Sequence, residues 1–510
     1  MSEDEYDSFG EDGEDFMDAS DYELSDGNDD TSDMDDDIFA EDMRKPREAY
    51  EVDYRVLDVA AIRAMQDSES SQVEGILGIE KEHAATLLRH FRWNKDRLIE
   101  RYMDAPEAVL QEAGVITDIH TAPRLEPAPA GFCCAICYDD EPDMSSLALR
   151  CGHRFCKECY SEYMTSKIQK DGESRRIQCA ATDCKVIVDE HTVSLLVTKP
   201  VYDKYRTLLT RTYVDDNARL RWCPAPGCEY AVECPVPQAA LKSVVPTVHC
   251  NCGNSFCHGC GSEDHMPCIC ALVRLWLRKC ADDSETSNWI HVNTKECTRC
   301  NSTIEKNGGC NHMTCRKCQH EFCWVCLGPW SEHGTNWYSC NRFDEASSKD
   351  ARDTQAKSRQ QLERYLHYYN RYANHDQSAH LDKELHNKTE KKMEEMQQTS
   401  DLSWIEVQFL RAAVDNLVQC RMTLKWTYAF AYYLARDNQT EMFENNQRDL
   451  EMAVEQLSEM LEQPINANNI KELKQNVLDK STYVAKRREV LLNDTARGLA
   501  DDRWRYMVDV

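Results

Sequence analysis

The residues best placed for chemistry in this chain are its cysteines. Of 27 in 510 residues, none precedes Cys133, 26 lie between Cys133 and Cys340, and only Cys420 follows. Most come as C-x2-C or C-x-C pairs, and a histidine stands near several of them. Two thiolates one short turn apart converge on one ion, and four thiolate or imidazole donors close the tetrahedral shell of structural zinc. The first array is Cys134, Cys137, Cys151, His153, Cys156, Cys159, Cys179 and Cys184, eight donors and therefore two sites. The second places Cys223, Cys228, Cys250 and Cys252 on one ion and Cys257, Cys260, His265 and Cys270 on another. The third does the same with Cys297, Cys300, Cys315 and Cys318, then Cys323, Cys326, His333 and Cys340. Six zinc ions held by 21 cysteines and three histidines are expected. Cys234, Cys268 and His249 fall outside this scheme, and Cys268 lies close enough to Cys270 to compete for metal.

Six cysteines are left over: 133, 234, 268, 280, 310 and 420. A spare cysteine usually behaves as a small inert hydrophobe. Cys310 has more particular neighbours, in "NGGCNHMTC" at residues 307 to 315. Gly308 and Gly309 remove side chains from its approach and permit unusual backbone angles, so its sulfur is expected on an exposed loop. An imidazole ordinarily suits proton transfer near neutral pH, so His312 could act as general base at the same centre. Glu321 could orient that imidazole. The plain alternative for His312, a spare zinc ligand, is disfavoured because the donor sets are already full.

A chain of this length needs several domains to carry such sites, and three to five are expected. The fold class expected is multidomain and mainly α, with small zinc-stabilised α+β modules and a disordered acidic N-terminal tail. Residues 1 to 42 hold 20 Asp or Glu and no Lys or Arg, so the rest of the chain carries only about −10 of the net −30. That balance argues against binding to a nucleic-acid backbone. With no run of 18 apolar residues and no apolar N-terminal segment, neither membrane spanning nor secretion is expected. A reducing, cytoplasmic setting is expected, with the nucleus left open because "RKPR" at 44 to 47 is too short to decide. Before the cysteines, Val73, Ile76, Leu77, Ala84, Leu87, Leu88, Phe91, Leu98, Ile99, Tyr102 and Met103 follow helical spacing around Gly78, as in a small three-helix domain. After them, no proline occurs from Ser331 to Gln463. There Trp404, Val407, Leu410, Val414, Leu417, Leu424, Tyr428 and Ala431 mark a long amphipathic helix among others.

C-x-H between two C-x2-C pairs is the RING signature, which implies that Cys134, Cys137, Cys156 and Cys159 share one ion and Cys151, His153, Cys179 and Cys184 the other. Gly78, Trp93, Leu98 and Ile99 resemble a ubiquitin-associated-like domain, which implies docking of ubiquitin-like modifiers. "NGGCNHMTC" followed by "HEFCWVCLGPW", after the two earlier zinc modules, closely resembles the RING-between-RING ubiquitin ligases, and within them the Ariadne subfamily. The resemblance implies a layout of an acidic tail (1–45), a ubiquitin-associated-like domain (50–106), a first RING (130–190), an in-between-RING domain (205–272), a second RING-like catalytic domain (293–342) and a helical Ariadne domain (350–510). It implies Cys310 as the ubiquitin acceptor, His312 as base and Glu321 as its supporting carboxylate. A ubiquitin-conjugating enzyme would dock at the first RING, with Ile136 as an apolar contact, and ubiquitin would pass through Cys310 to lysines of protein substrates. The Ariadne domain would mask Cys310 until a neddylated cullin-RING ligase intervenes, and Asp382 or Glu455 could belong to the mask. Two competing functions are a non-covalent RING adaptor with Cys310 idle and a zinc-finger binding module without catalysis.

Overall fold

Asp58 starts the first helix, α1 (Val59–Leu77), by accepting a hydrogen bond from the Ala61 N–H at 2.7 Å, and Gly78 ends it at φ 67°, where a side chain would be strained. α2 (Lys81–His90), α3 (Lys95–Asp104) and α4 (Pro106–Ala113) complete the front bundle. The protein is seen in a computed structural model that describes residues 47–117, 123–141, 143–282, 294–306, 308–333, 340–343, 354–399, 408–462 and 470–510. The acidic tail, Trp404 and Val407 lie outside the described residues. Val73, Ala84, Leu87, Leu88 and Leu98 make the bundle's core with Val109 and Ala113. Ile76 and Met103 depart from the expected stripe, being 49% and 63% exposed, because short helices in so small a bundle bury only a narrow face.

Three elements tie this front to the zinc modules. β1 (Arg55–Leu57) pairs antiparallel with β6 (Ala231–Glu233), which also pairs with β5 (Leu220–Trp222). Trp93 sits edge-on to Tyr213 at 4.6 Å. Tyr213 belongs to α7 (Lys199–Asp216), whose Val201, Tyr205 and Leu209 pack into the first zinc module and whose Tyr213 and Val214 pack on Leu57 and Ile62. One helix therefore joins two cores. The first zinc module itself has strands β2 (Leu125–Pro127), β3 (Ser145–Ala148) and β4 (Arg154–Cys156), with helices α5 (Lys157–Gln169) and α6 (Glu190–Leu196).

The next module adds the hairpin β7 (Thr247–His249) with β8 (Ser255–Cys257), and leads into α8 (Cys270–Asp282). The last zinc module is two small hairpins, β9 (Thr294–Glu296) with β10 (Thr303–Glu305), and β11 (His312–Thr314) with β12 (Glu321–Cys323). Among the described residues four helices follow: α9 (Thr354–Thr399), α10 (Phe409–Tyr433), α11 (Asn438–Glu462) and α12 (Ile470–Ala500). Leu410, Val414, Leu417, Leu424, Tyr428 and Ala431 of the expected stripe are all buried there, beside Leu450, Val454 and Leu457 of α11. The same core receives Cys268, Ile269 and Trp276 from the second zinc module, with Trp276 inside a cage of Tyr365, Tyr372, Tyr432 and Tyr433. Among the described residues, no helix is long and apolar enough to cross a membrane.

Candidate active site and zinc clusters

Five of the expected donor sets are gathered as quartets, with their ligand atoms all within 4.8 Å of one another. They are Cys134/Cys137/Cys156/Cys159, Cys151/His153/Cys179/Cys184, Cys223/Cys228/Cys250/Cys252, Cys257/Cys260/His265/Cys270 and Cys297/Cys300/Cys315/Cys318. In the remaining set, Cys326 Sγ lies 3.1 Å from His333 Nε2, and Cys340 interacts with Cys323, Cys326 and His333. The donor chemistry fits zinc, and two of the three histidines are aimed by outer partners in the way metal-bound imidazoles require. His265 Nδ1 donates to the Cys268 carbonyl at 2.6 Å, leaving Nε2 toward Cys260 Sγ at 3.2 Å. His333 Nδ1 likewise faces the Pro329 carbonyl at 3.2 Å. Cys268 contributes this carbonyl, while its thiol is fully buried in the helical core, which removes it as a competing ligand. His249 Nδ1 is 2.7 Å from Ser255 Oγ. Cys234 and Cys420 are buried, Cys280 is half-buried and Cys133 is exposed.

Cys310 stands apart from these clusters, two residues before β11, and it is not on an open loop. Only 6% of it is exposed, because α11 and α9 cover the loop that carries it. The thiol points to the Glu455 carbonyl at 3.9 Å and receives the His312 backbone N–H at 3.4 Å. Burial, then the charges of Glu455 and Glu462, push the thiol far above the usual cysteine range. In this arrangement the sulfur is protonated and shielded, so it is a poor nucleophile.

The cover is built from charge. Glu455 accepts the Asn311 backbone N–H at 2.6 Å and the Asn311 amide Nδ2 at 2.7 Å. Glu462 accepts the Cys310 N–H at 3.4 Å. Behind them Arg421, wholly buried, pairs with Glu455, reaches Asp382 at 3.3 Å and donates to the Gly309 carbonyl at 2.9 Å. Burial raises Asp382 to about 6 even against the pull of Arg421. On the other side of the loop, buried Lys306 donates to Asn311 Oδ1, Asn374 Oδ1 and Ser378 Oγ at 3.1, 2.8 and 2.7 Å. Asp382 and Glu455, the two acids expected as contacts for the mask, therefore both face this loop.

His312 lies on β11, stacked on Trp330 with centroids 4.4 Å apart and planes 6° apart. Glu321 pairs with Thr314 across the hairpin, and its carboxylate is 3.8 Å from His312 Nε2, beyond hydrogen-bonding distance, with the side chain more than half exposed. On the Nδ1 side Glu459 of α11 lies at 3.7 Å. The sequence pattern overlooked Lys306, Asn311, Glu459, Glu462 and Arg421. Asn311 carried a signal in being next to Cys310, whereas Arg421 looks like any arginine on a helix.

The two glycines work here through the space they leave. A Cβ on Gly308 would lie 2.6 Å from Glu462 Oε1, and one on Gly309 would overlap the Asp382 carboxylate, while Gly309 does not use the left-handed backbone region that was expected to explain it. Gly309→Ala should therefore loosen the helical cover while leaving every Cys/His cluster intact. Alkylation of Cys310, followed by mass spectrometry of its peptide, should rise roughly tenfold, the effect of about 1–3 kcal/mol of overpacking. An unchanged alkylation rate would mean that Asp382 simply moves aside.

Known families match in the same order as these modules. Residues 64–104 match "E3 ubiquitin-protein ligase ARIH1, UBA-like domain", and 134–181 match "Zinc finger, C3HC4 type (RING finger)". Residues 203–270 match "IBR domain, a half RING-finger domain", 292–341 match "IBR domain" and 363–488 match "Ariadne domain". Over 479 residues, 94% of each chain, the protein is 57% identical to E3 ubiquitin-protein ligase dbl4 of Schizosaccharomyces pombe. It is 47% identical over 460 residues to ariadne-1 of Drosophila melanogaster, covering 89% of this chain and 90% of that one. With E3 ubiquitin-protein ligase ARIH1 of Homo sapiens it is 47% identical over 435 residues, 83% of this chain and 76% of the other. With its RING, two further zinc-binding modules and helical Ariadne end in this order, the chain belongs to the Ariadne subfamily of RING-between-RING E3 ubiquitin-protein ligases.

Proposed function

We propose that this ligase carries ubiquitin on Cys310 as a thioester and that its helical domain holds that cysteine shut until a partner opens it. The observation that supports this reading best is the position of Cys310, outside every zinc quartet yet under the carboxylates of α11. A charged conjugating enzyme docks at the first RING, where Ile136 and Tyr138 are exposed apolar contacts. The Cys310 thiolate attacks its thioester carbonyl, forming one carbon–sulfur bond as the other breaks, a nearly balanced step that needs alignment above all. A substrate lysine then attacks the Cys310 thioester. Because a free lysine has a pKa of about 10.4, a base must take its proton, and His312 does so while Trp330 holds its ring. Glu321 supports the imidazole once it closes the present gap of 3.8 Å.

Six zinc ions shape the modules and take no part in the transfers. Neddylated cullin ligases recruited through the front domain are the expected openers, a reading that rests on the family likeness. The setting is cytoplasmic, with the nucleus open. The test is single-turnover discharge of a ubiquitin-charged conjugating enzyme by the full chain with Glu455→Ala, with and without Cys310→Ser, on non-reducing gels. A reductant-sensitive ubiquitin adduct is expected when Cys310 is present. The serine variant should give a reductant-resistant ester or no adduct at all. Equal discharge to free lysine by both proteins would leave the non-covalent adaptor as the better reading.

A further inference from the structure

Lys306 has no role in that scheme. It follows β10, four residues before Cys310, and is only 3% exposed. Its hydrogen bonds go to Asn311 of its own module and to Asn374 and Ser378 of α9, all neutral acceptors. An ammonium buried this way keeps its charge poorly: burial, then the nearby Arg421, lower it to about 8, against the opposing pull of Glu455, Cys310 and Asp382. We propose that Lys306 is a ubiquitin acceptor in cis: once α9 and α11 withdraw, its amine takes ubiquitin from Cys310, and the product can no longer be covered.

The proposal rests on the thioester reading above. Once uncovered, Lys306 is an ordinary ammonium again, so His312 or water first takes its proton, and the resulting amine attacks the thioester carbonyl carbon at Cys310. A carbon–nitrogen bond forms, the carbon–sulfur bond breaks, sulfur leaves as thiolate and is reprotonated, and the second proton lost by nitrogen passes to His312 or water. Nucleophile and thioester share one short loop, and Nζ already reaches the residue next to Cys310, so the step gains from proximity. Closing the cover would afterwards be blocked. In the closed form Nζ fits between Asn374 and Ser378 at hydrogen-bond distance, which leaves no space for an isopeptide. A ligase that opens and modifies itself in this way stays open until the ubiquitin is removed.

The experiment loads full-length Glu455→Ala protein from a ubiquitin-charged conjugating enzyme and maps Gly-Gly remnants by mass spectrometry, with Asp382→Asn as a second opening variant should the first fold poorly. The remnant on Lys306 should be on the order of tenfold or more above that in the unaltered chain, reflecting the loss of charge-assisted hydrogen bonds that hold the cover. Its formation rate should not change with enzyme concentration, and Lys306→Arg should remove it. In the unaltered chain, the fraction carrying the Lys306 remnant should have Cys310 open to iodoacetamide while the unmodified fraction keeps it covered. A Cys310 thioester whose ubiquitin appears on Lys317 or elsewhere, with none on Lys306, overturns the proposal but leaves the thioester reading standing. Absence of any Cys310 adduct overturns both.

Discussion

Arg421→Met should make Cys310 react with iodoacetamide roughly a hundredfold faster or more. Arg421 is fully buried on α10 and is the cation between Glu455 of α11 and Asp382 of α9, while its Nη2 donates to the Gly309 carbonyl. Methionine keeps much of the volume and removes the charge. Breaking a buried ion pair by deleting one partner costs about 3–5 kcal/mol, because the other charge stays buried and uncompensated. Here that cost can be relieved by moving the last zinc module away, so that water reaches the carboxylates, and the closed form loses ground to the open one. Lys306 remains nearby as a cation, which keeps the effect from being larger.

The pH dependence has two parts. Asp382 is raised to about 6 even against the pull of Arg421, so in Arg421→Met it is raised further, its protonation relieves the stranded charge, and the variant's excess reactivity should already be shrinking as pH falls toward about 6. In the unaltered chain the covered thiol holds its proton above the ordinary range, while an open one releases it at about 8.5. The Cys310 contribution to closure is therefore complete below about pH 8.5 and lost above it, but Lys306, lowered to about 8 when covered against about 10.4 when free, gains over the same window, so the two oppose and closure should change little there. Alkylation rates measured from about pH 5.5 to about 9.5, a range that spans both titrations, check both parts, with helix content followed by circular dichroism. A variant with unaltered helicity and unaltered alkylation would show that the cover is held by something other than this arginine.

Removing a zinc ligand should act in quite another way. Structural zinc contributes on the order of 10 kcal/mol to folding in small finger peptides. The last zinc module has little else: its two hairpins are three-residue strands, and Phe322 and Trp324 are its only large, fully buried aromatics among the described residues. Cys297→Ser should therefore cost the zinc of its own site in native mass spectrometry, unfold the 294–318 segment that this zinc holds, as read by hydrogen exchange, and free Cys310 to alkylation. Cys310→Ser should retain six zincs and the protection pattern of the unaltered chain. Fewer zincs in Cys310→Ser would identify Cys310 as a ligand and remove it as the ubiquitin carrier.

These contrasts follow the boundary between what neighbours along the chain determine and what they do not. Metal donors at x2 spacing declare themselves because a single turn brings both sulfurs to one ion, and an exhaustive assignment then leaves Cys310 among six cysteines without a metal, distinguished by the glycines and histidine beside it. The stripe from Leu410 to Ala431 was equally legible, since one helix face repeats along the sequence itself. Cys268 could be set aside only after folding, when its thiol entered the helical core and its carbonyl turned to His265.

From the sequence alone came the zinc-binding pairs, the helical end and the setting of Cys310, because each rests on residues that are neighbours along the chain. Tertiary structure alone decided that this cysteine is buried rather than exposed. It also chose Arg421, Glu455 and Asp382 as its keepers and sealed Lys306 beside it. Gly309 and Arg421 are 112 residues apart, and no local pattern records that they will meet. The physical reason is that a buried charge is stable only beside its counter-charge, and where that partner lies is a property of the packed helices, not of the residues flanking it.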